Sequence, residues 1–409
     1  MNISARARSL RAPAAFAACL LAGCGGSGGS APTLPLPSAS PPVTNATKID
    51  QVVETNYPGG WGVELAVYKN GRPVYVKGYG LRDRGLPDSF GGHDFWGLTQ
   101  PDVLLHLQRG VFAPDANTIF DLASVSKEFT AAAILLLQQD GKLSVNDPLS
   151  KYFPSFPNGQ QISLLYLLQH RSGLVDYNSF GQYPDFSSAY AAFVAGGSAD
   201  YRPIIDLLGT FPLRFAPGTQ YDYSNSNYLL LGAIVAQVSG EPLGAFLTQR
   251  IFGPLGMTQT HQGFPASPVT DFALGYADYG AGPQRTWQPN LQFLAGPGGL
   301  TSTAGDLEKW DRAVNAPGLF AQATLAQMFT PGPFAQSYGA YADGWFVSSL
   351  QGHRFIWHDG DVTGYQTVNA TFPDDGIDIV ILTDDGSGLD PYYVIAPLFP
   401  IVLTMAPAS

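Results

Sequence analysis

Ser124 and Lys127 stand three residues apart in "LASVSKEFTAAAILLL", residues 122–137. Residues i and i+3 share one face of a helix, so the spacing points both side chains the same way at a helix start. A serine hydroxyl is a weak nucleophile and needs an adjacent base. A lysine serves when burial or a neighbouring positive charge lowers its pKa. The apolar run after Lys127 predicts a helix buried on every side, which supplies the first condition. Free N–H groups at a helix start also suit a developing oxyanion. The pair therefore fits acyl transfer through an acyl-serine. Taken alone it fits a capping serine beside a surface lysine better, because S-x-x-K recurs by chance.

Two further stretches bear on the choice. In "APGTQYDYSNSNYLLLGAIVAQVSG", residues 216–240, Tyr223, Ser224 and Asn225 precede a second apolar helix. A phenol near two cations can be held as phenolate and act as a base, and an asparagine can grip an amide or ester with donor and acceptor together. Tyr223 also reads as an ordinary core aromatic. In "WHDGDVTGY", residues 357–365, His358 and Gly360 sit two apart in a strand-like region. Alternate strand residues share a face, and a glycine there permits close backbone approach, here expected of a substrate. His358 could instead pair with Asp359 or Asp361. His170, in "LLQHRSGL", reads as a structural turn residue after a helix. His93, His106, His261 and His353 show no sequence partners, and the chain lacks H-E-x-x-H or any comparable ligand cluster, so neither a metal nor a cofactor is expected.

The elements that must position these residues follow from patterning. "NATKIDQVVETNY" reads as a short helix with Asn45 or Thr47 as N-cap. Two β-rich runs flank Asn70-Gly71, a type I′ hairpin signal. Residues 82–117 are irregular around a possible helix at 101–110, either a lid or an ordered loop. The Ser124 helix is expected at about 124–140, with Gly141 as C′ residue. Residues 160–260 read as mainly helical, strands return from about 340, and 391–405 could form a closing helix. Strands at both ends with helices between predict an α+β fold: an antiparallel sheet flanked by helices, with a mostly helical second subdomain.

The N-terminus reads differently. Arg6, Arg8 and Arg11 precede the short apolar "APAAFAACLLA", a signal-like pattern too short to span a bilayer. "LAGC", residues 21–24, resembles the lipobox of bacterial lipoproteins, which implies cleavage before Cys24, lipidation of its thiol, and an exported, lipid-anchored protein of the bacterial envelope. A plain secretory signal is the alternative. Of two cysteines, Cys19 would leave with residues 1–23, so no intramolecular disulfide could form. Cleavage removes three of 21 basic residues and none of 32 acids, for a net charge of −14. That argues against nucleic acid or anionic lipid as a partner. Residues 24–44 are rich in Gly, Ser, Pro and Ala and read as a flexible tether, leaving 45–409 as the folded domain. "GGSGG" at 25–29 mimics a G-x-S-x-G nucleophile motif, but Ser27 lacks the strand and helix that motif needs.

Together, S-x-x-K, Y-S-N and H-D-G resemble the serine hydrolase family of class C β-lactamases and penicillin-binding DD-peptidases. "FAPGTQYDYSNSNYLLLG", "IFGPLGMTQT" and "GPGGLTSTAGDLEKW" extend the resemblance in the expected order over about 48–405. It implies that Ser124 is acylated, Lys127 is its base, Tyr223 relays protons and later activates water, and Asn225 orients substrate. It further implies an oxyanion hole from the backbone N–H groups of Ser124 and Asp361, with His358 lining the strand beside the substrate. The departure is His358, where β-lactamases and many DD-peptidases carry lysine. An unperturbed histidine is mostly neutral at pH 7. β-Lactams and D-Ala-D-Ala peptides present a carboxylate, which Asp359 and Asp361 would repel while also raising the His358 pKa. The expected activity is therefore hydrolysis of a short ester or a D-amino-acid amide. The alternatives are a weak β-lactamase or DD-carboxypeptidase acting on cell-wall peptides, and a surface lipoprotein that binds without catalysis.

Overall fold

The β1–β2 hairpin opens the sheet, and its turn is the one its residues demand. Val63–Lys69 (β1) and Arg72–Tyr79 (β2) are joined by Asn70 at φ 52° and Gly71 at φ 69°. Two successive left-handed residues make the type I′ turn that matches strand twist. The computed structural model describes residues 44–86, 112–177, 201–264, 271–278, 280, 282–286, 295–387 and 390–406. Cys24 and the possible helix at 101–110 lie outside them, as does most of 82–117. One compact unit runs Asn45–Ser409.

Helix α1 is Asn45–Asn56 and buries Ile49 and Val53, one turn apart. Asn45 is already helical, so neither Asn45 nor Thr47 caps it. The Asn45 side chain instead donates to Thr404 Oγ1 at 3.1 Å. After β3 (Phe120–Asp121) and a tight turn at Ala123–Val125 comes α2, Ser126–Gln139. Every residue from Ser126 to Leu137 is buried. Gly141 follows at φ 70°, the left-handed residue expected at C′. Helices α3 (Leu164–Leu168), α4 (Arg202–Gly209) and α5 (Asn225–Ser239) follow. A continuous helical run then passes from α6 (Leu243–Leu247) through a π turn into α7 (Gly253–Leu255).

The second half returns to the sheet. Short strands β4 (His261–Gln262), β5 (Tyr276–Ala277), β6 (Gln284–Arg285) and β7 (Leu300–Ser302) lead to α8 (Ala304–Asn315) and α9 (Gln322–Met328). Then come β8 (Ala335–Gln336), β9 (Gly339–Tyr341), β10 (Phe346–Leu350), β11 (His353–Val362), β12 (Tyr365–Phe372), β13 (Ile377–Thr383) and the closing helix α10 (Tyr392–Leu403). The main sheet has order β2-β1-β13-β12-β11-β10-β9-β8, so both chain ends build it around the helical insertion. Its pairings are antiparallel.

Strand β12 explains how polar residues survive in a fully buried strand. Thr367, Asn369 and Thr371 alternate with Val368, Ala370 and Phe372. The polar set faces α2 and α8: Thr367 donates to Leu122 O, and Asn369 reaches Glu128 and Asp311. The apolar set faces α10, where the Phe372 and Phe399 rings stack at 4.0 Å. A smaller sheet, β3-β7-β4, ties the strand before Ser124 to the segment after Gly299. Among the described residues no single helix is long and apolar enough to cross a membrane.

Candidate active site

Ser124 lies in the Ala123–Val125 turn, just ahead of α2 rather than within it. The turn holds Ala123 at φ 47°, a conformation costly for any residue with a Cβ. Asp121 stabilises it by accepting the Ala123 N–H at 2.8 Å. Gly360 makes room for it. A Cβ there would collide with Leu122 O and Thr367 Oγ1 and crowd Ala123. The approach that this glycine permits is thus that of the nucleophile turn, not of a substrate.

Lys127 is fully buried, with Nζ 2.8 Å from Ser124 Oγ and 2.6 Å from Pro297 O. Burial lowers its pKa to about 7, against the opposing charges of Asp176 and Asp359. Once neutral, its bonds are assigned by elimination. A carbonyl only accepts, so one N–H serves Pro297 and the lone pair can face the Ser124 hydroxyl. That is a base in reach of the proton it must take.

The Tyr223 ring lies 5.0 Å from Lys127 Nζ, and the Ser124 hydroxyl is the neighbour that acts on its phenol most strongly after burial. Burial raises its pKa well above the usual phenol value. The expected phenolate therefore does not hold. The imidazoles beside it, His170 and His358, are held neutral by burial and supply no cation, so Tyr223 is a phenol that donates. His170 Nδ1 accepts from the Ser224 N–H at 3.1 Å, and its ring lies 4.2 Å from that of Tyr223. At φ 53° it is the turn residue expected, and it also buttresses the phenol.

His358 departs further from expectation. It is buried behind Tyr223 and is not among the residues lining the cleft at Ser124. Nδ1 is 2.6 Å from Asp359 O, which only accepts, so Nδ1 carries the proton and Nε2 accepts from Tyr341 at 2.9 Å. Burial first, then the Lys127 charge, hold its pKa down at about 3. Asp359 Oδ1 does come within 3.7 Å of Nδ1, the pairing the sequence allowed, but burial outweighs it. Strand alternation places Asp359 and Asp361 on the face of Trp357, which packs on Tyr392 of α10 at 4.3 Å. His353, expected to be alone, pairs with Asp375 at 2.8 Å.

The cleft is small, about 60 Å³, and is lined by Asp121, Ala123, Ser124, Asn225, Pro297 and Asp361 among others. Asn225 opens α5 and donates to Asp176 at 3.2 Å. The structure thus gathers Ser124, Lys127, Tyr223, Asn225, Gly360 and Asp361 at one place. His358 sits a layer behind, and Cys24 is outside the described residues. Asp121, Asp176, Tyr341 and Pro297 also belong here. Sequence reasoning missed Asp176, Tyr341 and Pro297 because their partners lie elsewhere in the chain, and Asp121 because nothing in the sequence marks its bond to Ala123 two residues on. Among the described residues no group of three or more His, Cys, Asp or Glu could hold a metal ion.

This geometry is that of acyl transfer, and similarity to known proteins agrees. The family model described as "Beta-lactamase" matches residues 50–394. The chain belongs to the β-lactamase family. Within that family it is similar to a protein named as a penicillin-binding protein, PbpX, of Bacillus subtilis (strain 168), with 35% identity over 79% of this chain and 70% of the relative. Penicillin-binding protein 4* of the same organism is 28% identical over 66% of this chain and 61% of its own length. Among solved structures, D-amino acid amidase from Ochrobactrum anthropi SV3 shares the fold at TM-score 0.70 and 23% identity, covering 88% of this chain and 98% of that one. A D-stereospecific amidohydrolase from Streptomyces sp. does so at TM-score 0.69 and 21% identity, covering 87% and 98%. This β-lactamase-family protein is a serine hydrolase.

Proposed function

We propose that this serine hydrolase cleaves a short ester or a D-amino-acid amide through an acyl-enzyme on Ser124. Neutral Lys127 takes the Ser124 proton as Oγ attacks the carbonyl carbon. The backbone N–H groups of Ser124 and Asp361 hold the oxyanion. Tyr223 passes a proton to the departing alcohol or amine and then helps water release the acyl group. The observation that carries this reading is the buried Lys127 Nζ, 2.8 Å from Ser124 Oγ and poised at about 7. Support for the substrate class comes from His358. A neutral, buried imidazole offers no cation to a substrate carboxylate. The amidase titles of the structural neighbours fit the same class.

A second reading, a weak β-lactamase or DD-carboxypeptidase acting on cell-wall peptides, is favoured by the names of the sequence relatives. Turnover of a short aryl ester, a D-amino-acid anilide and a chromogenic cephalosporin, each repeated with Ser124→Ala, separates the two. Serine-dependent ester or amide turnover with little cephalosporin turnover is expected. Strong cephalosporin turnover would overturn the argument from His358.

The lipobox-like "LAGC" supports a lipid-tethered protein of the bacterial envelope. Palmitate labelling that persists in Cys24→Ala would remove that support.

A further inference from the structure

Asp121 has one oxygen more than the nucleophile turn uses. The residue is 1% exposed, and Oδ1 accepts the Ala123 N–H. Oδ2 is buried and has no hydrogen-bond partner. Several other buried carboxylates share that condition, among them Glu64, Glu128, Asp311 and Asp384, but none of those four lines the cleft at Ser124. Asp121 does, together with Asn225 and Pro297. A buried carboxyl oxygen without a donor is destabilising, and here the donor can arrive with the substrate. It would arrive at a residue that lines the same cleft as Ser124. Burial holds the empty carboxyl near 7, so an entering cation turns it into a carboxylate and gains an ion pair shielded from water.

We propose that Asp121 is a specificity-determining residue whose Oδ2 accepts a hydrogen bond from the free amino group of an α-amino acyl substrate while Ser124 attacks the adjacent carbonyl. The proposal rests on the ester and amide hydrolase reading and narrows its substrate class to aminoacyl compounds. Asp176 is the rival carboxylate. It already accepts from Asn225 and is not among the cleft-lining residues.

The test uses two 4-nitroanilides that differ only in the amino group, that of D-alanine and that of propanoic acid. The full chain is assayed as wild type, Asp121→Asn, Asp176→Asn and Ser124→Ala. Asparagine keeps an acceptor for the Ala123 N–H but offers an amide where the carboxylate was. Wild type is expected to favour the amino substrate. In Asp121→Asn that preference, as the ratio of kcat/KM values, is expected to fall about 10- to 100-fold, mostly through KM. Asp176→Asn should retain it. Ser124-dependent turnover with the preference intact in Asp121→Asn, or lost in Asp176→Asn instead, overturns the proposal and leaves the hydrolase reading standing. Wild type that turns over both anilides equally does the same, whether or not Asp121→Asn folds. Turnover of neither compound, or turnover that survives Ser124→Ala, brings down the hydrolase reading and this proposal with it.

Discussion

Lys127 and Glu128 are neighbours on one helix, both fully buried, and burial does the same thing to each. It neutralises the lysine by lowering its pKa to about 7, and it neutralises the glutamate by raising its pKa well above the usual value. Their surroundings turn that one effect to opposite uses. Lys127 faces a hydroxyl, and a neutral amine beside a hydroxyl is a base. Glu128 faces away from the cleft, where Oε2 accepts from Trp310 Nε1 at 2.7 Å and from Asn369 Nδ2 at 3.0 Å. It joins α2 to α8 and β12. Desolvation alone therefore does not mark a functional group; what lies within hydrogen-bond reach does.

The contrast can be broken by exchanging readouts. Lys127→Ala should act mainly on turnover: kcat/KM per folded molecule should fall by about 10²- to 10⁴-fold, the range for general acid–base catalysis, while the cavity it leaves costs stability as well. Unchanged turnover per folded molecule would show that Lys127 is structural. Glu128→Ala should do the reverse. Two buried donors lose their acceptor and a cavity opens, at a cost of about 2–4 kcal/mol in urea unfolding. Glu128→Gln, which keeps one acceptor, should cost less. Turnover per folded molecule that falls in Glu128→Gln as far as in Lys127→Ala would erase the distinction.

pH should pull the two properties apart as well. Activity should rise as pH climbs through about 7 and Lys127 loses its proton. Stability should fall over the same interval. Glu64 titrates at about 8, and Asp121 and Asp343 at about 7, each raised by burial. Acids raised in the folded state give their full stabilisation below about pH 4, and it is lost as pH rises through the folded values. Lys127 works oppositely, but only between about 7 and its unfolded value of 10.5. The melting temperature should therefore drop by several degrees between pH 5 and pH 8. A flat or rising profile would mean that these carboxyls are solvated. The smallest effect is expected at His358. His358→Gln should change kcat/KM by less than about tenfold, because the imidazole supports Tyr341 rather than substrate. A loss as large as that of Lys127→Ala would return His358 to the front of the site.

What the sequence made legible was local. The Ser124–Lys127 spacing, read together with Y-S-N and H-D-G, paired the two residues, and the apolar run after Lys127 buried the lysine, although Ser124 itself sits in the turn ahead of the helix. Asn70-Gly71 gave its turn, and β-rich runs at both ends gave one interrupted sheet. The failures share a cause. Whether Tyr223 could be a phenolate depended on how deeply the fold buries it, and burial raises its pKa well above the usual phenol value. Gly360 faces Leu122, far from it in the chain, and His353 finds Asp375 only once β11 and β12 pair. Asp121 is an unremarked residue in "FDLASVSK" until the fold brings it to the cleft wall with one oxygen bonded and the other buried without a partner.

The sheet's assembly carries a consequence for the time course of folding. Strand β1 sits between β2 and β13, and Val63 faces Thr383, more than 300 residues later. Pairings so remote close slowly, and the chain must collapse around them before they contribute. While the polypeptide is being made, the β1–β2 hairpin is complete long before its neighbour exists. Its inner edge, with a run of buried residues from Val63 to Tyr68, stays open to other chains throughout that interval. This protein should consequently depend on chaperones early in its life and resist unfolding once β13 has docked, so that its kinetics of birth and of decay are set by the same seam.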